Sequence, residues 1–114
     1  MPSQSRKNRA MRTQLVIAQH LAANGWPFAE STGSGRSGSD ILGVPGLAIE
    51  IKARANFDPM AWCRQAAMNP GLPMVMFRPN GMGETSIESW PVILRMGDAV
   101  ALLRAAGYGN EVAS

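Results

Sequence analysis

The chain has few of the residues that build covalent cross-links or soft metal sites. Among its 114 residues there is one cysteine and one histidine. Cys63 alone cannot form an intramolecular disulfide, and with His20 it cannot complete a zinc site of three or four nitrogen and sulfur ligands. Any metal ion that this chain binds must therefore be held by oxygen ligands.

Long hydrophobic runs are also absent. No apolar run approaches the roughly 18 residues that suggest a membrane helix, and the opening sequence MPSQSRKNRAMR lacks the apolar stretch of a signal peptide. The sequence therefore predicts no membrane partner and a cytoplasmic location. With 46% hydrophobic and 17% charged residues, a chain of this length suits one domain with one core and is too short for two.

Acidic residues are missing from the first twelve positions, which carry four basic ones: Arg6, Lys7, Arg9 and Arg12. The formal net charge of the whole chain is +3, so the remainder is close to neutral. A basic arm ahead of a near-neutral body suits a polyanion such as nucleic acid, because Lys and Arg placed on phosphates release condensed counterions. A solvated tail that keeps the protein soluble is the alternative.

Sequence patterns predict an α/β domain with a central mixed sheet flanked by helices, in the element order α-β-β-β-α-β-β-α. Residues 1–9 are polar and are expected to form a flexible basic arm. Residues 10–109 are expected to form the folded domain, and residues 110–114 a flexible tail. The predicted strands cover residues 26–31, 40–43, 47–54, 73–78 and 86–95.

Three helices are predicted from periodicity and from end signals. Leu15, Ala18 and Leu21 recur at helical spacing and indicate a helix over residues 10–24. Asp58 followed by proline is typical of a helix start, and it opens a second helix that ends before residues 69–71, Asn-Pro-Gly. A third helix begins near residue 98 and ends at a glycine, Gly107.

The candidate site lies in DILGVPGLAIEIKAR, residues 40–54. Its VPG triplet predicts a hairpin in which Asp40 faces Glu50, close enough for the two carboxylates to share one cation. Lys52 lies two residues from Glu50 and shares its face of the strand, while Ile49 and Ile51 point to the other face. The alternation therefore predicts one face that packs in the core and one that is free to react.

Two adjacent carboxylates repel each other unless a proton or a divalent cation neutralises them. Mg²⁺ prefers oxygen ligands and keeps waters, which leaves places for a substrate phosphate and an attacking water. The Ile51 carbonyl is a candidate further ligand, and Lys52 is placed to orient or deprotonate the water or to stabilise the transition state. The chemistry is metal-assisted phosphodiester hydrolysis. The alternative is a solvated strand face, with Asp40 capping a turn.

The ordered set of features resembles the PD-(D/E)XK nuclease superfamily. These features are Gly25-Trp26 at the end of the first helix, SDILGVPGLAIEIKAR (39–54), a helix with Trp62 and Gln65, and the stretch from GMG to WPV (81–92). Within the superfamily, the chain is similar to small phage-encoded endonucleases related to Holliday junction resolvases. The resemblance covers residues 11–109.

The resemblance implies a restriction-endonuclease-like fold and a Mg²⁺-dependent DNA endonuclease, for which Mn²⁺ is a substitute. It implies branched DNA as substrate and a homodimer, since a four-way junction needs two coordinated cuts. Asp40 and Glu50 would be metal ligands and Lys52 the catalytic lysine. Gln65 would support the site by hydrogen bonding to lysine, water or phosphate.

One departure from the family pattern concerns the first helix, where many members carry a glutamate that contacts the metal. The corresponding residue here is Gln14, which is expected to support the site through a metal-bound water but removes one negative charge. Metal affinity is therefore expected to be lower, and a catalytically inactive DNA-binding descendant is one alternative. A nicking, restriction or repair nuclease of the same fold is a second, and a small protein that docks to an acidic partner is a third.

The glycine-rich segment GSGRSG, residues 33–38, matches the pattern GxGxxG. No helix can begin in the SDILGVPG that follows, which excludes a dinucleotide site, and the chain is too short for a kinase; no nucleotide cofactor is predicted. We interpret the segment as an approach to DNA, with Arg36 on a backbone phosphate and Arg54 holding the cleaved strand. A plain linker and a surface ion pair are the alternatives.

The expected dimer contacts are the first helix or the strand around Trp90.

Overall fold

A computed structural model describes residues 2–33 and 38–109 of the chain. Arg36 and the expected tail at residues 110–114 lie outside the described residues. Within the described ranges the chain forms an α/β domain, as the sequence predicts. Every helix in these ranges is too short or too polar to cross a membrane.

Helix α1 (Pro2–Ala23) begins at Pro2 and not at residue 10. The expectation that residues 1–9 precede the first helix is therefore wrong for residues 2–9. The straight-chain side chains of this stretch favour helix, and proline is well tolerated in a first turn. Gln4 Nε2 also donates to Asn8 Oδ1 at 3.1 Å, one turn further on.

The buried face of α1 is displaced from the predicted one. Ile17, Ala18 and Leu21 are buried, but Leu15 is 40% exposed. Two residues along a helix turn the side chain by about 200°, so a helix that buries Ile17 must expose Leu15. The same face buries a polar residue, Thr13, completely.

The strand pairing differs from the predicted hairpin. Strand β1 (Glu30–Ser31) pairs antiparallel with β2 (Ile41–Leu42), whereas β3 (Leu47–Lys52) pairs in parallel with β4 (Leu72–Phe77) along six residues. The hairpin ladder between β2 and β3 is therefore wrong. The two residues of β2 pair with β1 instead, while β4 takes the opposite edge of β3 and leaves the edge next to β2 without a partner strand among the described residues.

A three-stranded mixed sheet forms the centre of the domain. Strand β5 (Val92–Ile93) pairs antiparallel with β4, and helix α2 (Pro59–Ala66) makes the crossover that a parallel β3–β4 pair requires. Residues 48–52 of β3 are all buried. The alternative of a solvated face on this strand is therefore wrong, because a parallel strand in an α/β domain is covered on both sides.

The two faces of the sheet contribute to separate clusters. Ile49 and Ile51 pack with Ile17 and Leu21 of α1. On the opposite face, side chains of β4 pack with α2 in a second cluster: Trp62, Ala66, Val75 and Phe77. Side chains at even positions of β3 therefore face α2.

The predicted strand over residues 86–95 is shorter than expected. Residues Glu84–Ser89 form a 3₁₀ helix instead, and Pro91 separates it from β5. Trp90 is buried, and its indole Nε1 donates to the Gly83 carbonyl at 3.2 Å. Helix α3 (Met96–Ala105) follows β5 and ends the described fold.

Gly43 is a position where only glycine fits. Its φ is +75°, and a Cβ added there would lie 1.9 Å from the Phe28 carbonyl oxygen. We expect Gly43→Ala to lower the unfolding free energy by about 2 kcal/mol or more, through strain and displacement of the chain next to β2. Urea unfolding followed by circular dichroism measures this effect.

Gly97→Ala is the matched control, because Gly97 lies inside α3 with open space around it. Alanine should leave stability unchanged or raise it by up to about 1 kcal/mol. Equal stability of Gly43→Ala and wild type would contradict the close approach of residues 28 and 43.

Candidate metal-binding and catalytic site

Asp40 is fixed to the free edge of β3 by two hydrogen bonds. Its backbone N–H donates to the Ile49 carbonyl at 2.9 Å, and its carboxylate Oδ2 accepts from the Ile51 N–H at 2.7 Å. These partners are the residues on either side of Glu50. Asp40 therefore lies opposite Glu50, as predicted, although the hairpin ladder expected to place it there is not formed.

Glu50 and Lys52 lie on the face of β3 that meets α2. They are 5% and 8% exposed, respectively. The ammonium Nζ of Lys52 lies 3.3 Å from Glu50 Oε2 and donates to Gln65 Oε1 at 2.9 Å. The hydrogen bond expected between Gln65 and the lysine is therefore present.

The start of α2 sets the position of Gln65. Asp58 caps the helix by accepting from the Ala61 N–H, and Pro59 occupies its first turn. This local signal fixes the phase of the helix, so that Trp62 and Ala66 face the core. Gln65 then lies at the border of the buried face, exposed to solvent and bonded to Lys52.

Burial dominates the ionisation of both carboxyls. It raises the pKa of Asp40, against the lowering effects of the Ile51 N–H and the Lys52 charge. Burial and then the charge of Asp40 raise the pKa of Glu50, and Lys52 and Arg54 lower it. Lys52 therefore does not neutralise the two acids completely, and a proton or a cation is favoured between them.

The donor atoms around Asp40 and Glu50 suit a hard cation. Because the Ile51 N–H points to the free edge of β3, the carbonyl of the same residue points to that edge too. Two carboxylates and one carbonyl are oxygen ligands of the kind that Mg²⁺ prefers, and the coordination would be completed by waters. Within residues 2–33 and 38–109, no group of three or more His, Cys, Asp and Glu side chains is placed to share a metal ion.

Gln14 is connected to this site through β1. It is buried on α1, and its Oε1 accepts from the Ser31 hydroxyl at 3.0 Å. The next residue, Thr32, donates its N–H to the Asp40 carbonyl at 3.1 Å. The amide thus supports the segment that carries Asp40, which is a positioning contact.

Three of the basic residues expected to contact DNA come together with Arg54 around a groove of about 640 Å³ at the end of β3. Its polar lining is Arg6, Lys7, Arg9, Arg54, Asn56 and Asn80. Neither asparagine is among the site residues predicted from the sequence. Asn56 follows β3 and Asn80 follows β4, and the carboxyl ends of adjacent parallel strands are where ligand-binding residues of α/β folds gather. A correct parallel pairing would have pointed to them.

Arg12 lies apart from this groove. Its guanidinium donates to both carboxylate oxygens of Glu84, from Nε at 2.8 Å and from Nη2 at 2.9 Å. Nearby, the buried Arg78 donates to Thr13 Oγ1 at 3.1 Å and lies over the ring of Trp90. Arg12 therefore joins α1 to the 3₁₀ helix in the described structure, and its role in DNA contact stays a prediction.

Comparison of the chain with protein-family models, with curated proteins and with solved structures finds no match. The geometry of the site therefore carries the functional argument.

The raised pKa values predict a pH dependence of stability. The folded protein holds protons on Asp40 and Glu50 more tightly than the unfolded chain does, so these carboxyls contribute most to the unfolding free energy at low pH. This contribution declines as the pH rises through their raised pKa values in the folded protein. We expect Asp40→Asn to flatten this decline, measured as the unfolding free energy in urea between about pH 4 and pH 8 without metal.

Glu88→Gln is the control, because it removes an exposed carboxylate away from the site. Its pH profile should follow that of wild type. An Asp40→Asn profile that also parallels wild type would mean that Asp40 and Glu50 do not share a dry, charge-coupled site.

Proposed function

We propose that the chain is a Mg²⁺-dependent DNA endonuclease of the PD-(D/E)XK type, with a restriction-endonuclease-like fold, that acts in the cytoplasm on branched DNA. The observation that carries the proposal is the convergence of Asp40, Glu50 and Lys52 at the edge of β3. The Lys52 ammonium lies 3.3 Å from the Glu50 carboxylate. Resemblance in sequence supports the choice of branched DNA as substrate.

In this proposal Asp40, Glu50 and the Ile51 carbonyl hold Mg²⁺, for which Mn²⁺ can substitute. The ion supplies Lewis-acid activation of the phosphate and of the attacking water. The hydrogen bond from the Ile51 N–H occupies Asp40 Oδ2. The other carboxylate oxygen of Asp40 would then be available to hold the metal.

Lys52 acts on the substrate phosphate. Its ammonium has three N–H donors, of which one is taken by Gln65 and a second is directed to Glu50. The third is available for a phosphate oxygen, whose negative charge grows as water adds to phosphorus. One ester P–O bond then breaks. The hydroxyl of the attacking water stays on phosphorus, and the proton that this water loses balances the one that the leaving oxygen takes up. Gln65 is a positioning residue, because it holds the ammonium in place.

Cleavage of a four-way junction requires two such sites, and we propose that a second copy of the chain supplies the other. None of the ten residues of α3 is buried within the described structure. Met96, Val100 and Leu103 follow at helical spacing on its outward side and are each at least half exposed. A groove lined by Met60, Ile93 and other residues continues this surface towards α2.

The exposed face of α3 is proposed in preference to the strand around Trp90, because Trp90 itself is buried in the domain core. A pair of α3 helices would place the two sites in one symmetric particle.

One observation favours a second candidate function, a DNA-binding protein that has lost catalysis. The first helix carries Gln14 in place of an acid, and only two carboxylates meet at the described site. Such a protein binds DNA with a steep salt dependence and leaves it intact. A nicking, restriction or repair nuclease would share the same residues, so the substrate panel below distinguishes it.

The experiment is cleavage of labelled four-way junction, flap, nicked and linear DNA in Mg²⁺ and in Mn²⁺. We expect wild type to cut the junction, and Asp40→Asn and Lys52→Ala to lose about 100-fold or more in rate, because each removes a group that acts on the transition state. Gln65→Ala should lose less, because it acts through Lys52. Glu88→Gln is the control with an exposed carboxylate removed.

Intact DNA with both metals would overturn the nuclease proposal. A normal rate for Lys52→Ala would overturn the role given to the lysine. Preferential cutting of flaps or linear duplex would keep the chemistry and replace the substrate. Circular dichroism of each variant separates loss of chemistry from loss of folding.

The dimer is tested by light scattering on wild type, Val100→Asp and Gln19→Asp. We expect wild type to have the mass of two chains and Val100→Asp the mass of one, because a charge on an apolar interface is costly to bury. Gln19 is exposed on α1, so Gln19→Asp should remain a dimer. Dissociation by Gln19→Asp alone would place the interface on α1, and a wild-type monomer would overturn the dimer.

A further inference from the structure

The basic groove at the end of β3 has no role in the chemistry described above. One wall comes from the first half of α1, with Arg6, Lys7 and Arg9, and the other from the segment after β3, with Arg54 and Asn56. No acidic residue is among those that line it within the described chain. Four cations around one concave surface favour an anionic ligand.

We infer that this groove binds backbone phosphates of the cleaved strand, a few nucleotides from the bond that is cut. The inference rests on the proposed function for the identity of the strand, but binding in the groove itself requires neither metal nor cleavage. It adds Asn56 and Asn80 to the residues already expected to contact DNA here, which are Arg6, Lys7, Arg9 and Arg54.

The position of Arg9 supports a phosphate ligand in particular. Its Nη2 donates to the Pro79 carbonyl at 3.2 Å, which fixes the guanidinium beside the groove. Its Nε is buried without a hydrogen-bond partner among the described residues. A buried donor without an acceptor is unfavourable, and a phosphate offers several acceptor oxygens to one guanidinium.

The spacing along the chain gives the register of the bound strand. Arg54 and Asn56 follow Lys52 by two and four residues, a reach of at most roughly 7–14 Å for an extended chain. Phosphates of one strand of duplex DNA are separated by about 3.4 Å along the helix axis. The groove therefore holds phosphates within about four nucleotides of the one that contacts Lys52.

The asparagines suit the same ligand. An amide side chain donates two N–H groups, so Asn56 and Asn80 add neutral donors to the cations of the groove. Contacts of this kind fix the orientation of a strand without reading its sequence. The groove should therefore position the substrate and leave sequence preference unaffected.

The test measures binding of a short fluorescent duplex in EDTA by anisotropy across a salt series, so that cleavage does not enter. We expect Lys7→Gln with Arg54→Gln to reduce the slope of log K against log salt by about 0.9 for each phosphate contact removed. Arg64→Gln is the control, since it removes an exposed charge on α2 outside the basic groove. Because Arg64 lines the groove next to α3, light scattering first checks that this variant has the mass of wild type, and its slope should then equal that of wild type. Equal slopes for all three proteins would overturn the inference.

Neutral methylphosphonate linkages identify the phosphates involved. Placed within about four nucleotides of the cut, they should weaken binding by wild type more than binding by the Lys7→Gln, Arg54→Gln protein, which keeps Arg6 and Arg9. The same loss in both proteins would overturn the assignment. Competition by polyglutamate of equal charge as effective as DNA would also overturn it, in favour of an acidic protein partner.

The outcomes separate this inference from the proposed function. If the protein cuts no DNA but shows the expected salt slopes, the groove inference stands and the nuclease proposal is overturned. If it cuts junctions while the groove variant binds like wild type, the nuclease proposal stands and the groove inference is overturned.

Discussion

The attachment of Asp40 to the edge of β3 is the contact on which the site depends. One backbone hydrogen bond reaches Ile49, and one side-chain hydrogen bond comes from Ile51. Because β3 is itself fixed by six paired residues of β4, the Asp40 carboxylate takes its position from the centre of the sheet. A loop residue thereby gains the precision of a strand residue, which a site for a small cation requires.

Burial gives the charged residues of β3 a different character from surface charges. Glu50 and Lys52 are almost completely covered, and Gln65 supplies the second partner that the ammonium needs. Ions removed from water are tolerated when other polar groups surround them. The unfavourable part of this arrangement is the proximity of Asp40 and Glu50, and it is the part that a divalent cation would relieve.

Sequence alone indicated the elements better than their pairing. The cap formed by Asp58 and Pro59 is a local signal, and α2 begins where it predicts. The turn signal between β2 and β3 is local as well, but the parallel pairing of β3 depends on β4, far along the chain. Asp40 lies next to Glu50, as the sequence predicts, because it bonds to Ile49 and Ile51 on either side of that residue. The sequence does not predict Asn56 and Asn80 as part of the groove, because only the parallel pairing of β3 with β4 brings them together.

The extent of α1 was underestimated for a related reason. A polar, basic segment has nothing to bury, so composition favours a flexible arm, yet the segment is continuous with a helix whose later turns are fixed by Ile17 and Leu21. Helix propagation adds a hydrogen bond for each residue ordered once a nucleus exists. The composition of residues 2–9 therefore predicts how this segment would behave alone, and it does not show that the segment extends an existing helix.

The continuity of α1 also links two properties that an arm would keep separate. The same rigid rod carries the cations of the groove at one end and apolar core residues at the other. A core substitution that tilts α1 would therefore also change the width of the groove. Core packing and polyanion binding both depend on the orientation of this one helix, so they would evolve together.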